Sequence, residues 1–318
     1  IVAWSFDYYD SNGIHRIAVE EAGGQDEFEK RPTYIHYCEP LSPLISTTDS
    51  LNKLVFAAEK RIPLIFTPCP LAGGTAPITP AGIIIQAAAE SFMGLTIAQN
   101  IQPGLPFIMG GVLSVMDMSS MILAYGAPEL ALMMAGHTEF AHYAGLPLWQ
   151  TGGCTDSKTF DEQAITEGSL SVFFSALTGG DLCHDVGYTE SAMTGSVFQL
   201  TAMDEAIGYA RRITRGIEVN EDTLAVDVIH RVGPNGHYLK DEHTRRYYKS
   251  EYWLPNLIDR TSFEDWELMG GKSFKDRTVA RGENMLASYE QIPLKDSTEK
   301  MIEKVLAEAE EWVKEQEK

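Results

Sequence analysis

The feature that most constrains this chain is an alternation. Short β-rich apolar runs give way to long helical patterns over most of its length. Strands are expected at Ile1–Phe6, Thr33–Cys38, Pro63–Thr67, Pro106–Met109, Pro147–Gln150 and Asp181–His184. Helices are expected between and after them, near Gly13–Ala22, Ser50–Lys60, Thr79–Asn100, Pro128–Ala144, Phe160–Leu177 and Phe198–Arg215. Three strands open on a proline, in KRIP, QPGLP and AGLP, where Pro stops the preceding helix and is tolerated at the first strand position. The residues that follow each strand are rich in Gly, Pro, Ser, Thr and Cys, whereas those before it are plain.

In a parallel α/β fold that asymmetry marks the carboxyl ends of the strands as the functional face. A doubly wound sheet would favour a single glycine-rich phosphate turn, but here every strand-to-helix turn is elaborate. The expected architecture is therefore a TIM (β/α)8 barrel lacking its N-terminal strands in this chain, with a helical C-terminal extension. IVAWSF reads as the middle of a domain, with neither a basic n-region nor a cleavage site of a signal peptide. Residues 1–217 are assigned to the barrel and 218–318 to the extension. The last part of that extension, Lys295 to Lys318, is an amphipathic helix with Ile302, Val305, Leu306 and Val313 on one stripe. Such a stripe packs on the barrel or on a partner subunit, so a homo-oligomer is expected.

Charge and cysteine content narrow the function classes. The net charge of −20, from 45 acidic against 25 basic residues, argues against a phosphate-backbone binder and hence against a nucleic-acid partner. The most apolar stretch, Ala76–Ala98, is interrupted by Pro80, Gln86, Glu90 and Gly94, so no membrane role is expected. Four cysteines in 318 residues are too few for a disulfide framework, which points to reducing cytoplasm.

The turn TPCPLAGGTAPITPAG carries Gly73 and Gly74, which let backbone approach a ligand, and Thr79-Pro80, an N-cap with Pro at N1. Its helix N-terminus suits a carboxylate, but the pattern is not a nucleotide loop, and a plain tight turn serves the glycines equally. WQTGGCTDSK brings Trp149, Cys154, Asp156, Ser157 and Lys158 to another strand end. CHDVGY follows the last strand, with His184 beside Asp185 as donor or base and Tyr188 as an aromatic wall. His137 and His142 lie five apart on a helix and read as packing or surface residues. Cys38, Cys69, Cys154 and Cys183 all fall at strand ends, where a thiolate zinc site is geometrically open; without CxxC or HExxH spacing they read as inert thiols and no metal is expected. Phe6, Tyr8, Tyr9, Tyr37, Trp149 and Tyr188 near the same face suit a quaternary ammonium, which is held by cation–π contact, although most aromatic residues are simply core.

Several of these stretches, in order, resemble one family. YCEPLSPL, PCPLAGGTAPITPAG, MILAYGAPELALM, GLPLWQTGGCTDSK and the helix beginning FDEQA are similar to the trimethylamine methyltransferase family, the corrinoid-dependent methylamine and betaine methyltransferases. The resemblance runs from about Arg31 to Glu218 and more loosely to the C-terminus. It implies a TIM barrel whose cavity admits a methylated amine and the cobalt of a cognate corrinoid protein, with no corrinoid (cobalamin) bound tightly by this chain itself. Family members extend beyond Ile1, in keeping with missing strands. Archaeal members carry pyrrolysine near the loop Gly152–Lys158, where only standard residues stand here. The resemblance therefore points to the glycine betaine branch: methyl transfer from a quaternary amine, glycine betaine by preference and giving dimethylglycine, to Co(I). A quaternary ammonium leaves as a neutral amine, so the transfer needs neither an acid nor a covalent adduct, only orientation and exclusion of water. On this reading His184 and Asp156 are the catalytic candidates and Trp149, Tyr188 and Tyr37 face the trimethylammonium. His184 and the amides of Gly73 and Gly74 grip a substrate carboxylate. The alternatives are a zinc-thiolate barrel methyltransferase using betaine and a thiol, and a non-catalytic betaine-binding subunit.

Overall fold

The computed structural model describes residues 1–316. Six strands form its main sheet: β1 (Val2–Ala3), β2 (Ile35–Cys38), β3 (Leu64–Phe66), β4 (Phe107–Gly110), β5 (Leu148–Thr151) and β6 (Leu182–His184). Their order in the sheet is their order in the chain, and every neighbouring pair is parallel. A doubly wound sheet reverses direction at a switch point, and this one never does. The result is a parallel half-barrel.

Helices connect the strands: α1 (Tyr8–Ala22) and α2 (Gln25–Lys30), then α3 (Thr48–Glu59), α4 (Pro80–Ile101), α5 (Pro128–Tyr143), α6 (Glu162–Thr178) and α7 (Val197–Thr214). Local signals start most of them. The side chains of Asp7, Thr47, Asp161 and Ser196 each accept a backbone N–H of the first turn, and α4 and α5 begin on proline. α4 is long and apolar enough to cross a membrane by composition alone. Here it runs between two strands of one sheet and buries Glu90, which accepts the Ser42 hydroxyl at 2.7 Å and the Leu44 amide at 2.9 Å. Those contacts pin the loop after β2.

Strand alternation sorts the side chains. Cys38, Leu64, Phe66 and Phe107 face outward into a fully apolar cluster with Phe28, Leu54 and Phe56 of the helices. Met109 and Leu148 join Ile83, Leu130, Met133 and Met134 in a second cluster under α4 and α5. Both outer edges of the sheet are open, with Val2 36% and Leu182 39% exposed. The loops at the carboxyl ends add a three-stranded sheet of Leu71–Ala72, Ser114–Met116 and Leu123–Ala124, and a hairpin of Tyr188–Thr189 with Thr194–Gly195.

Beyond α7 the chain is helical: α8 (Glu221–Leu224), α9 (Val226–Val232), α10 (Glu242–Glu251), α11 (Phe263–Leu268), α12 (Phe274–Ala287) and α13 (Asp296–Gln316). Ala225, in the left-handed region at φ 49°, separates α8 from α9. Buried Glu205 of α7 accepts the backbone amides of Asn256, Leu257 and Ile258 at 2.8 to 3.1 Å, tying the extension to the barrel layer. α13 lies along α1, where Arg16 pairs with Glu308 and Tyr9 stacks on Trp312 at 5.0 Å. Val305 of its stripe sits against Gly13 of α1, where a Cβ would come within 2.9 Å.

Candidate active site

A cavity of about 530 Å³ opens at the carboxyl ends of the strands. Val2 and Trp4 come to it from β1, and His184 and Asp185 from β6, so the first and last strands of the half-barrel face one space. Tyr37 and Glu39 reach it from β2, Cys69 from the loop after β3, Tyr125 from the loop after β4, Trp149 from β5 and Tyr188 from the hairpin.

Its centre is a fixed array around His184. The imidazole stacks on the Trp149 indole, centroids 4.9 Å apart and planes 13° from parallel. Its Nδ1 meets Asp185 Oδ1 at 3.0 Å, and its Nε2 lies 3.0 Å from the Thr151 hydroxyl. That hydroxyl donates its one hydrogen to the Gly111 carbonyl at 3.0 Å, and the arrangement that satisfies all three groups has both ring nitrogens of His184 donating. The other carboxylate oxygen of Asp185 accepts the Tyr125 hydroxyl at 3.0 Å. Burial alone would raise the Asp185 carboxyl, but the hydrogen bond and charge of His184, helped by Tyr125, hold it below the ordinary carboxylate range. Asp185 adopts φ 64°, a left-handed conformation that its side-chain contacts stabilise.

Burial, and then the negative field of Asp185, pushes the Tyr125 phenol far up. Tyr37 is raised in the same way, first by burial and then by Cys69, Glu39 and Asp185. The Cys69 sulfur touches cavity space, yet surrounding protein and the charges of Glu39 and Asp185 push its thiol up, away from the reactive thiolate. Cys38 and Cys154 are buried in the two apolar clusters, and Cys183 lies exposed on β6. Among the described residues no three His, Cys, Asp or Glu side chains are grouped to hold a metal ion.

Of the residues singled out in sequence, His184, Trp149, Tyr188 and Tyr37 line the cavity. Asp156 does not. Its carboxylate accepts the amides of Tyr125 at 2.7 Å and Gly126 at 2.9 Å and the Ser191 hydroxyl at 2.8 Å, so it clamps three loops together behind the cavity wall. Gly73 and Gly74 also lie outside the lining, and their amides are spent within their own turn, on Ala76 O at 3.1 Å and Leu71 O at 2.9 Å. That turn needs Gly73 for its φ of 84°, which settles its role as shape rather than donor. Phe6 is 74% exposed, Tyr8 packs on Phe56 and Tyr9 on Trp312, so the aromatic wall is built instead with Trp4 and Tyr125. Trp4, Glu39 and Tyr125 were not singled out in sequence, although Glu39 lies in YCEPLSPL and Tyr125 in MILAYGAPELALM, two of the stretches that carry the family resemblance.

A parallel barrel sheet with a side-chain-lined cavity at its strand carboxyl ends is the architecture of an α/β-barrel enzyme. The family model for trimethylamine methyltransferase (MTTB) matches residues 13–312, and the chain belongs to that family. It is 34% identical to the glycine betaine methyltransferase of Desulfitobacterium hafniense strain Y51, over 84% of this chain and 56% of that protein. It is 30% identical to a trimethylamine methyltransferase MttB from strain DCB-2 of the same species, over 94% of this chain and 60% of the relative. A trimethylamine methyltransferase MttB of Methanosarcina barkeri is 29% identical over 86% of this chain. The chain thus spans little more than half the length of the curated relatives it matches. Among solved structures, a dihydropteroate synthase from Coxiella burnetii, in complex with pteroic acid, covers 67% of this chain and is itself covered to 78%, at 12% identity and a TM-score of 0.36. The likeness is too loose to add to the strand order.

Proposed function

We propose that this chain forms the substrate-holding half of a methyltransferase that moves a methyl group from a quaternary amine to the Co(I) of a cognate corrinoid protein. Glycine betaine, expected from sequence and the substrate named for one relative, belongs to that substrate class. The observation that carries the reading is the cavity wall: Trp4, Tyr37, Tyr125, Trp149 and Tyr188 surround a space that also holds the carboxylates of Glu39 and Asp185. Aromatic faces and negative charge are what a permanently charged ammonium needs, because it has no N–H to donate.

The corrinoid of the partner supplies the methyl acceptor. This chain binds the ammonium, keeps one N–methyl group turned toward the open mouth, and excludes water around it. The Trp149–His184 stack, locked by Thr151 and Asp185, gives that orientation a rigid floor. No group in the array has to move a proton, since a tertiary amine departs uncharged. Asp156 acts through the loops it holds, and reducing cytoplasm is the compartment proposed for the reaction. The test is anaerobic incubation of the full-length protein with Co(I) corrinoid protein and a panel of quaternary amines, following cobalt absorbance. Formation of methyl-Co(III) with release of the tertiary amine is expected; no conversion with any amine overturns the reading.

A further inference from the structure

The charge of the cavity goes beyond a preference for ammonium. Among the described residues no Lys or Arg lines it, whereas Glu39 and Asp185 do. The one histidine there spends both nitrogens inside the protein, on Asp185 and Thr151. Lys53 on α3 is 5% exposed; it donates to the Ser5 carbonyl at 2.9 Å and covers the Trp4 ring at 5.7 Å, outside the lining. Glu39 makes no salt bridge among the described residues. The glycine amides expected to receive a carboxylate are already bonded within their turn.

We infer that this cavity selects quaternary ammonium ions with a neutral tail, of the choline or tetramethylammonium type, over ammonium carboxylates such as glycine betaine. The inference rests on the reading of the cavity as a quaternary-amine site and narrows it. A trimethylammonium group gains chiefly from the Glu39 carboxylate and from the aromatic faces, since His184 already balances Asp185. The carboxylate of a betaine reaches only two or three bonds further, so it stays within the negative field of Glu39 and beside a His184–Asp185 pair whose nitrogens are already spent. It would leave water without a charged donor to replace it, and an unpaired anion in such a site is strongly disfavoured. A hydroxyl or methyl in its place carries neither cost.

The inference is tested by binding, independently of turnover. Tryptophan fluorescence and calorimetric titration of the full-length protein at low ionic strength would compare choline, tetramethylammonium and glycine betaine. The neutral-tailed cations are expected to bind at least ten-fold more tightly than glycine betaine. Asp185→Asn, which an asparagine tolerates at positive φ, and Glu39→Gln are each expected to weaken choline several-fold and to narrow or reverse the gap to betaine. Equal or tighter binding of glycine betaine to the unmodified protein overturns the inference and leaves the methyltransferase reading standing. Failure of all three ammonium compounds to bind overturns both.

Discussion

The loops after β5 and β6 each carry an aspartate one short step past a strand, and the two residues live in opposite worlds. Asp156 is met by two backbone amides and a serine hydroxyl contributed by other loops. Asp185 is met by two side chains, His184 and Tyr125, and faces the cavity. A carboxylate saturated by backbone is architecture, because those amides have no alternative partner once buried. A carboxylate balanced by side chains beside open space keeps charge to offer a ligand. The loop after β5 therefore shapes the site while the loop after β6 meets what enters it.

The comparison can be broken most directly at its first member. Asp156→Ala strands the Tyr125 and Gly126 amides and is expected to cost about 3 kcal/mol, a fall in Tm of roughly 5 °C by calorimetry. Asp185→Asn should move Tm far less; equal losses would erase the distinction between the two loops.

Acid should separate scaffold from site in the same way. Burial lowers His137 to about 4, opposed only by its bond to Gly110, and burial with the charges of Lys53 and His15 lowers His36 to about 4. Both start from 6.5, so each contributes stability that is complete above that pH and is lost as pH falls toward 4, up to about 3 kcal/mol apiece. Urea midpoints measured from pH 7 to 4.5 should fall steeply, and His36→Leu should flatten the curve, since neither His36 nitrogen has a partner to lose. Asp185, held below its ordinary value, keeps its charge through that window. Choline binding should then persist wherever the fold does.

Smaller effects sharpen the cavity side. Trp149→Ala removes one aromatic face and the platform under His184, and should weaken quaternary ammonium binding by about 1–2 kcal/mol, or roughly ten-fold, in the fluorescence or calorimetric titration. Cys69 should give the smallest signal. Although its sulfur is open to the cavity, its raised thiol predicts slow alkylation by iodoacetamide at pH 8, followed by mass spectrometry, with Asp185→Asn modestly faster.

Much of the fold was legible along the chain. Each of the six strands falls within a residue or two of the expected apolar run, except β1, where only Val2–Ala3 pair. The bounds of α4, α5 and α7 follow from Pro80, Pro128 and the Ser196 cap, because caps and prolines act locally. α2 escaped notice: five polar residues around Phe28 carry no helical period of their own. The small sheet of the strand-end loops escaped too, since one of its two pairings joins segments some forty residues apart.

The site divides along the same line. His184, Trp149, Tyr37 and Tyr188 were identified by residue type and by their place at strand ends, which the repeat itself dictates. Sequence alone thus determined a parallel barrel sheet, the strand ends at which the cavity opens, and the family. Tertiary structure decided which polar groups at that face are already spoken for. Asp156, Gly73 and Gly74 look like reagents in the chain and prove to be bonded elsewhere, while Glu39 and Tyr125, not singled out within their stretches, complete the wall. The reason is physical: residue type and spacing fix what a group can bind, but only the distances between separate loops determine whether its partners are protein or ligand.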